Sequence, residues 1–388
     1  MNDNGCESRV QNAAQMHMEK IIRKKLQNLS IPPDCIGKAK FEFTLEMGAS
    51  PFCIQGKVTV PIIFFIKYGS PAEDINRERE NTELMKSKDP EHFVTPITIP
   101  PEEDGLFVAE FFEGDRFHSI ILNGNLSEEL KLDVAKEVYT ALFRMYETNM
   151  KDITVPVYKA HFKRIEQRLE EKINRDPSFS KYKFQTLIVN GVKVPSAYTL
   201  LKKVQKFRDQ LESRKATTVP CDAQPDNILV KLPNSIRFID LLNLDPEGDD
   251  SVDIGKNRHW LKGYIVMRQI RDNITIDPKS FVNYTEYTEK DGSIVINYDL
   301  KGRIPDIAQK IYALFLEKLE EFSKRIGDNW WYERMLLGSA RAWIGGIPYH
   351  QNHELAVIML CEGLLELDEC VRQLESKLAA RNIQEVRT

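Results

Sequence analysis

Three oxygen-bearing side chains stand where a short loop meets two apolar runs: Asp222 and Asn227, five residues apart, and Asp240, thirteen beyond Asn227. The runs, Ile228 to Val230 and Ile236 to Leu242, flank a Pro233-Asn234 turn and read as a hairpin. A carboxylate and an amide at the entrance of one strand, with a second carboxylate at the end of its partner, converge three hard oxygen ligands. Mg²⁺ suits such a set, because it takes few protein ligands and completes its shell with phosphates and water. Asp222 is then placed to orient an attacking hydroxyl or accept its proton. The plain alternative is that all three cap turns, as Asp and Asn often do.

The chain that must position these residues has 388 residues, 42% hydrophobic and 29% charged. At roughly 150 residues per unit it forms two or three folding units with a sizeable core. A net charge of −4 provides no basic field, so nucleic acid is not an expected partner. Six cysteines, Cys6, Cys35, Cys53, Cys221, Cys361 and Cys370, are scattered without a CxxC pair and read as reduced thiols of a cytoplasmic protein. The start, Met1 to Gln15, lacks the apolar run of a signal peptide. The longest apolar stretch, Val58 to Ile66, is nine residues and reads as a buried strand, so no membrane association is expected.

Strand patterns dominate the first third: Lys38 to Leu45, Phe52 to Val60, Ile62 to Tyr68, Phe93 to Ile99 and Leu106 to Phe112. A helix is expected before them over Ala13 to Leu29, and another within them over Glu73 to Lys86. From Ser127 onward apolar residues recur at three- and four-residue steps, first over Leu130 to Met145, with Asn125 or Ser127 as cap. The same spacing recurs over Tyr158 to Ile173 and Leu201 to Leu211. Further helices are expected over Ile304 to Ile326, Tyr332 to Ile344 and Asn352 to Leu378. Asn174 to Val194 reads as a surface excursion, and Ser280 to Asn297 as a strand-rich insertion or loop pair.

Asp222-Ala-Gln-Pro-Asp-Asn227-Ile-Leu-Val with Phe238-Ile-Asp240 resembles the catalytic loop of the aminoglycoside phosphotransferase and choline kinase family, small-molecule kinases with the protein-kinase-like fold. The resemblance implies that Asp222 is the catalytic aspartate and that Asn227 and Asp240 hold Mg²⁺. Gly248-Asp249-Asp250-Ser251-Val252-Asp253-Ile254 is similar to the family's Gly-Asp-Pro-x-x-Asp-Leu, which makes Asp253 the support of the loop. Phe64-Phe65-Ile66-Lys67 resembles the strand bearing the phosphate-contacting lysine. Glu78 and Glu80 are its candidate partners, and Glu80 is preferred because Leu84, four residues on, matches the family's spacing. Leu106 to Gly114 resembles the hinge, implying that backbone groups of Glu110, Phe111 and Phe112 bond adenine. Gly48-Ala49-Ser50 is the candidate phosphate-covering turn, giving Gly48 and Ser50 as nucleotide-binding residues. Pro220 and Cys221 replace the family's His and Gly, and the glycine turn is poor in glycine.

The resemblance covers Phe41 to Gly255 and implies a two-lobed α+β fold. Residues 1–109 would form a five-stranded lobe with one helix, 110–114 the hinge, and 115–388 a helical lobe enlarged by Val155 to Lys215 and the C-terminal helices, with the catalytic loop at 220–240. The function implied is ATP- and Mg²⁺-dependent transfer of the γ-phosphoryl group to a hydroxyl of a small molecule. A nucleotide-binding scaffold without activity is the alternative that Pro220-Cys221 motivates. A protein kinase is disfavoured because no Asp-Phe-Gly or Ala-Pro-Glu segment follows Asp240. Asp245, Glu247, Asp249 and Asp250 form an acidic group that either attracts a cationic acceptor or is a solvated loop. Trp260, Trp330, Trp331 and Trp343 read as core packing before they read as an aromatic box. Arg341 and His350 lie where related kinases place acceptor-binding residues. Oligomeric state is not legible.

Overall fold

The computed structural model describes residues 16, 19–24, 40–46, 52–59, 63–97, 105–266, 283–299 and 304–385. They divide into two compact units, residues 1–115 with 227–244, and residues 116–226 with 245–388. The expected helix over 13–29 is helical where described, at 16 and 19–24; Gly48 and Ser50 lie outside the described residues.

In the first unit β1 (Lys40–Glu46), β2 (Phe52–Thr59), β3 (Ile63–Ser70) and β4 (Leu106–Glu110) form an antiparallel sheet in that order. Helix α1 (Ala72–Lys88) follows β3 and carries acidic residues in its first turn and lysines in its last, the arrangement its dipole favours. Its buried residues, Ile75, Glu78, Thr82 and Met85, recur at helical spacing and define one inward stripe. Strand alternation puts Phe65 and Lys67 on one face of β3, and Phe65 packs against the cluster of Ile75, Val94, Phe107 and Ala109.

The fifth strand expected at Phe93 to Ile99 is not formed in the described part of that segment, 93–97, which makes only isolated bridges, Phe93 to Phe238 and Pro96 to Ala109. Hydrogen bonds run from Ile97 N to Val108 O and from Glu110 N to Thr95 O, the pair that flanks the single Pro96 to Ala109 bridge, while Phe93 bridges a different partner, so no continuous ladder forms in the described part. The hairpin read around the Pro233-Asn234 turn is present as Ile228–Lys231 paired with Ser235–Phe238, and it groups with the first unit.

The second unit is mainly helical: α2 (Glu128–Thr148), α3 (Lys163–Arg175), α4 (Ser251–His259), α5 (Asp306–Ile326), α6 (Trp331–Gly346) and α7 (His353–Glu385). Ser127 is the cap of α2, its side chain accepting from Leu130 N. Helices α2 and α5 meet through stacked rings of Phe143, Phe315 and Phe322. α4 and α6 approach backbone to backbone: a Cβ on Gly255 would lie 2.1 Å from Gly338 C, and one on Gly338 2.0 Å from Ser251 O. Only glycine fits such a crossing.

Residues 174–194 are not a surface excursion. Phe179, Tyr182, Leu187, Val189 and Val194 are fully buried. Strands Leu187–Val189 and Val192–Val194 join Tyr284–Thr288 and Ile294–Tyr298 in one four-stranded sheet, with Ile294–Ile296 parallel to Leu187–Val189. Each pair is too short to stand alone, and each buries its apolar residues only in the combined sheet. Trp260 and Trp343 are fully buried, whereas the Trp330 ring meets Lys377 and Arg381, so the four tryptophans share no single box.

Candidate active site

Lys67 is the best-defined charge of the first unit. It lies mid-strand in β3, opposite Gln55 and Phe107, with only 8% of its surface exposed. A buried ammonium needs counter-charge. Its Nζ donates to Glu78 Oε2 at 2.6 Å and to Asp240 Oδ1 at 3.4 Å. The lysine's partner is thus Glu78 and not the preferred Glu80. Glu78 belongs to the buried stripe of α1 with Ile75 and Thr82; Glu80, two residues on and about 200° around the helix, is exposed. Burial pushes the Glu78 carboxyl up to about 7, Lys67 opposes that shift, and Asp240 adds to it.

Asp240 follows the hairpin's second strand and takes φ +62°, a left-handed conformation that Asp tolerates better than most residues. Ile239 N donates to Asn227 O at 3.0 Å, so Asn227 and Asp240 are brought to the same end of the hairpin. The Asp240 side chain is 39% exposed. Among the described residues there is no group of three or more His, Cys, Asp and Glu side chains fit to hold a metal. A carboxylate and an amide beside a lysine instead match the small donor set that Mg²⁺ uses when phosphates supply the other oxygens. Asn81 Nδ2 donates to Leu241 O at 2.7 Å and ties the segment after Asp240 to α1.

Residues 110–114, expected to form the hinge, lie at the end of this unit's first stretch of chain. Glu110 N donates to Thr95 O, and the Glu110 carboxylate accepts from Thr95 Oγ1 at 2.7 Å. Phe112 packs on the apolar cluster, with the Arg237 guanidinium 4.9 Å from its ring centre, and Gly114 N donates to Phe112 O. Phe111 is half-buried.

In the second unit the loop 221–223 is fixed by one face of α4. Asp253 Oδ2 accepts from Cys221 N at 3.2 Å and Oδ1 from Ala223 N at 3.0 Å, while Tyr146 OH donates to Oδ2 at 3.1 Å. Asn257 Nδ2 donates to Ala223 O at 2.6 Å, and Lys256 Nζ forms an ion pair with Asp222. Burial raises the Asp253 carboxyl to about 6 against the Ala223 N–H and Lys256, which favour its charge. Sequence reading singled out Asp253 alone. Lys256 and Asn257 were findable, since they lie three and four residues on and share its helix face.

Cys221 stands at φ +62°, which accounts for a glycine at that position in the resembling motif. Burial first, and then the charge of Asp253, push its thiol up to about 12, so it is no thiolate nucleophile. The acidic group read as a possible cation lure is spent within the unit. Asp249 and Asp250 each lie 2.6 Å from Arg334, Glu247 lies 2.8 Å from Lys151, and Asp245 lies 3.7 Å from Lys159.

No protein-family model matches the sequence, and no curated protein matches it. Solved structures do match. A "putative aminoglycoside phosphotransferase" from Ralstonia eutropha aligns over 91% of this chain and 97% of its own, with 13% identity and a TM-score of 0.51. An ethanolamine kinase from Plasmodium vivax aligns over 89% and 84%, with 13% identity and a TM-score of 0.49. The chain therefore has the fold expected from its sequence: α+β and protein-kinase-like, with a small antiparallel sheet in one unit and a larger helical second unit. No helix among the described residues is long and apolar enough to cross a membrane.

Proposed function

We propose that this protein is an ATP- and Mg²⁺-dependent kinase that transfers the γ-phosphoryl group to a hydroxyl of a small molecule. The observation that carries the reading is the Lys67 ammonium held by Glu78 at 2.6 Å and Asp240 at 3.4 Å. One buried cation, a carboxylate that fixes it and a second, part-exposed carboxylate are the parts a triphosphate and its metal require. The fold shared with the Ralstonia protein supports this reading.

In this mechanism Lys67 binds phosphate oxygens, and Glu78 keeps its ammonium oriented. Asn227 and Asp240 would hold Mg²⁺, which neutralises charge on the β- and γ-phosphates when bound. Backbone groups of Glu110, Phe111 and Phe112 bond adenine. Asp222, on the loop that Asp253 and Asn257 secure, accepts the hydrogen bond of the acceptor hydroxyl and takes its proton as the oxygen attacks the γ-phosphorus and the bond to the bridging oxygen breaks, releasing ADP. Lys256 holds that carboxylate in place. Catalysis is positioning and charge neutralisation, with no covalent intermediate on the protein.

Titration calorimetry with ATP, with and without Mg²⁺, on wild type and Asp240→Asn tests this reading. Wild type should bind ATP more tightly with Mg²⁺, and the variant should lose most of that enhancement. ATP binding indifferent to Mg²⁺ in the wild type would favour the non-catalytic scaffold.

A further inference from the structure

Helix α6 carries two arginines on one face, Arg334 and Arg341, with Gly338 between them at the close crossing of α4. They differ in counter-charge. Arg334 has three carboxylates: Asp249 and Asp250 lie 2.6 Å from its Nη2, and Asp328 pairs with Nη1. Arg341, half-buried, has no hydrogen bond or ion pair among the described residues, and of its nitrogens only Nε is sealed from solvent. Its Nη groups are left open to an incoming counter-ion.

The groups around Arg341 do not supply it. Burial lowers its pKa, and the neighbours that oppose this are Cys221, Asp253, Asp222 and Asp249. Cys221 is a neutral thiol; Asp253 is taken up by two backbone N–H groups and Tyr146, Asp222 by Lys256, and Asp249 by Arg334 and Ser251. His161 and Arg164 lie close enough for Arg341 to disfavour their protonated forms. Lys256 is paired with Asp222, and Arg341 is left as the cation without an acid of its own among the described neighbours.

We infer that Arg341 binds an anionic group of the acceptor, so that the substrate is an alcohol bearing a carboxylate or a phosphate and not an amino alcohol or aminoglycoside. This rests on the kinase reading for the role of Asp222, but the binding claim stands on the charges themselves. A guanidinium suits the task, since its planar fork takes two oxygens of a carboxylate or phosphate at once.

The test is ligand binding, which does not require turnover. Saturation-transfer NMR would compare glycerate and glycerol 3-phosphate with glycerol and choline on wild type, Arg341→Gln and Arg341→Lys, with thermal unfolding of each variant. At least one of the two anionic alcohols should bind wild type, bind Arg341→Gln about tenfold more weakly, and recover partly in Arg341→Lys. Which of the two binds separates a carboxylate from a phosphate. Without ligand, Arg341→Gln should unfold no earlier than wild type, because it breaks no ion pair or hydrogen bond among the described residues, and only wild type and Arg341→Lys should be stabilised by the anion. Tighter binding of choline, equal binding of the anions by Arg341→Gln, or no binding of either anion would overturn the inference. Anion binding without any phosphoryl transfer would instead leave it standing and remove the kinase reading.

Discussion

Lys67 and Asp222, the two residues on which the proposed chemistry turns, are held by opposite means. In the first unit one buried ammonium faces two carboxylates, and one of these, Asp240, is 39% exposed. Charge there is left in excess on the acidic side, which suits a group whose partners arrive with a metal nucleotide. In the second unit the loop around Asp222 is fixed by Asp253, Lys256 and Asn257, one turn of one helix that satisfies backbone N–H groups, a backbone carbonyl and the carboxylate itself. The difference separates two tasks. Charges that bind a nucleotide can stay partly unmet, whereas the group that orients an acceptor oxygen needs a geometry fixed beforehand.

Substitutions sharpen that contrast, beginning with the largest effects. Lys67→Ala removes the cation that Glu78 and Asp240 share and should lower kcat/KM by about 10²- to 10³-fold, as loss of one preorganised donor to developing charge does. Asp253→Ala leaves two buried N–H groups and Tyr146 OH without their acceptor and should cost about 3 kcal/mol of stability, read as a fall in the urea midpoint. If it unfolded like wild type, the loop would not depend on α4.

Glu78 gives a pH-dependent test. With its carboxyl pushed up to about 7, protonation weakens its hold on Lys67. The rate should therefore fall as pH drops through about 7, and a pH–rate profile of Glu78→Gln should lose that limb while falling about tenfold overall. Stability runs the other way. A carboxyl raised on folding stabilises the fold below its unfolded value of 4.5, and that contribution is lost as pH rises through about 7. Glu80→Gln, on the exposed face of α1, should change kcat/KM by less than about twofold. A larger loss would restore Glu80 as the lysine's partner.

How much of this was legible varied with how local the physics is. The helices of the second unit follow from apolar residues at three- and four-residue steps, and the 228–238 hairpin follows from its turn. Glu78 and Glu80 could not be separated by motif spacing, yet the periodic burial of Ile75, Thr82 and Met85 already places Glu78 on the inward stripe. The segment 93–97 makes single bridges to two different partners, Phe238 and Ala109, which its own alternation does not encode. The sheet uniting 187–194 with 284–298 was hidden because neither segment carries the other's pairing information. Lys256 lies outside the motif that singles out Asp253, and the lack of an ion-pair partner for Arg341 among the described residues is a matter of three-dimensional charge pairing that no spacing encodes.

The central claim is that Asp222 serves the chemical step while the Lys67 and Asp240 group serves the nucleotide. Phosphorus NMR of wild type and Asp222→Asn with Mg·ATP and a pool of alcohols, alongside calorimetry of Mg·ATP binding, tests it most directly. The account predicts a new phosphomonoester signal from wild type, at least about 10³-fold less of it from Asp222→Asn, and nearly equal nucleotide affinity in both proteins. Equal product from the variant would remove Asp222 from the mechanism, and loss of nucleotide affinity along with activity would contradict the division between the two groups.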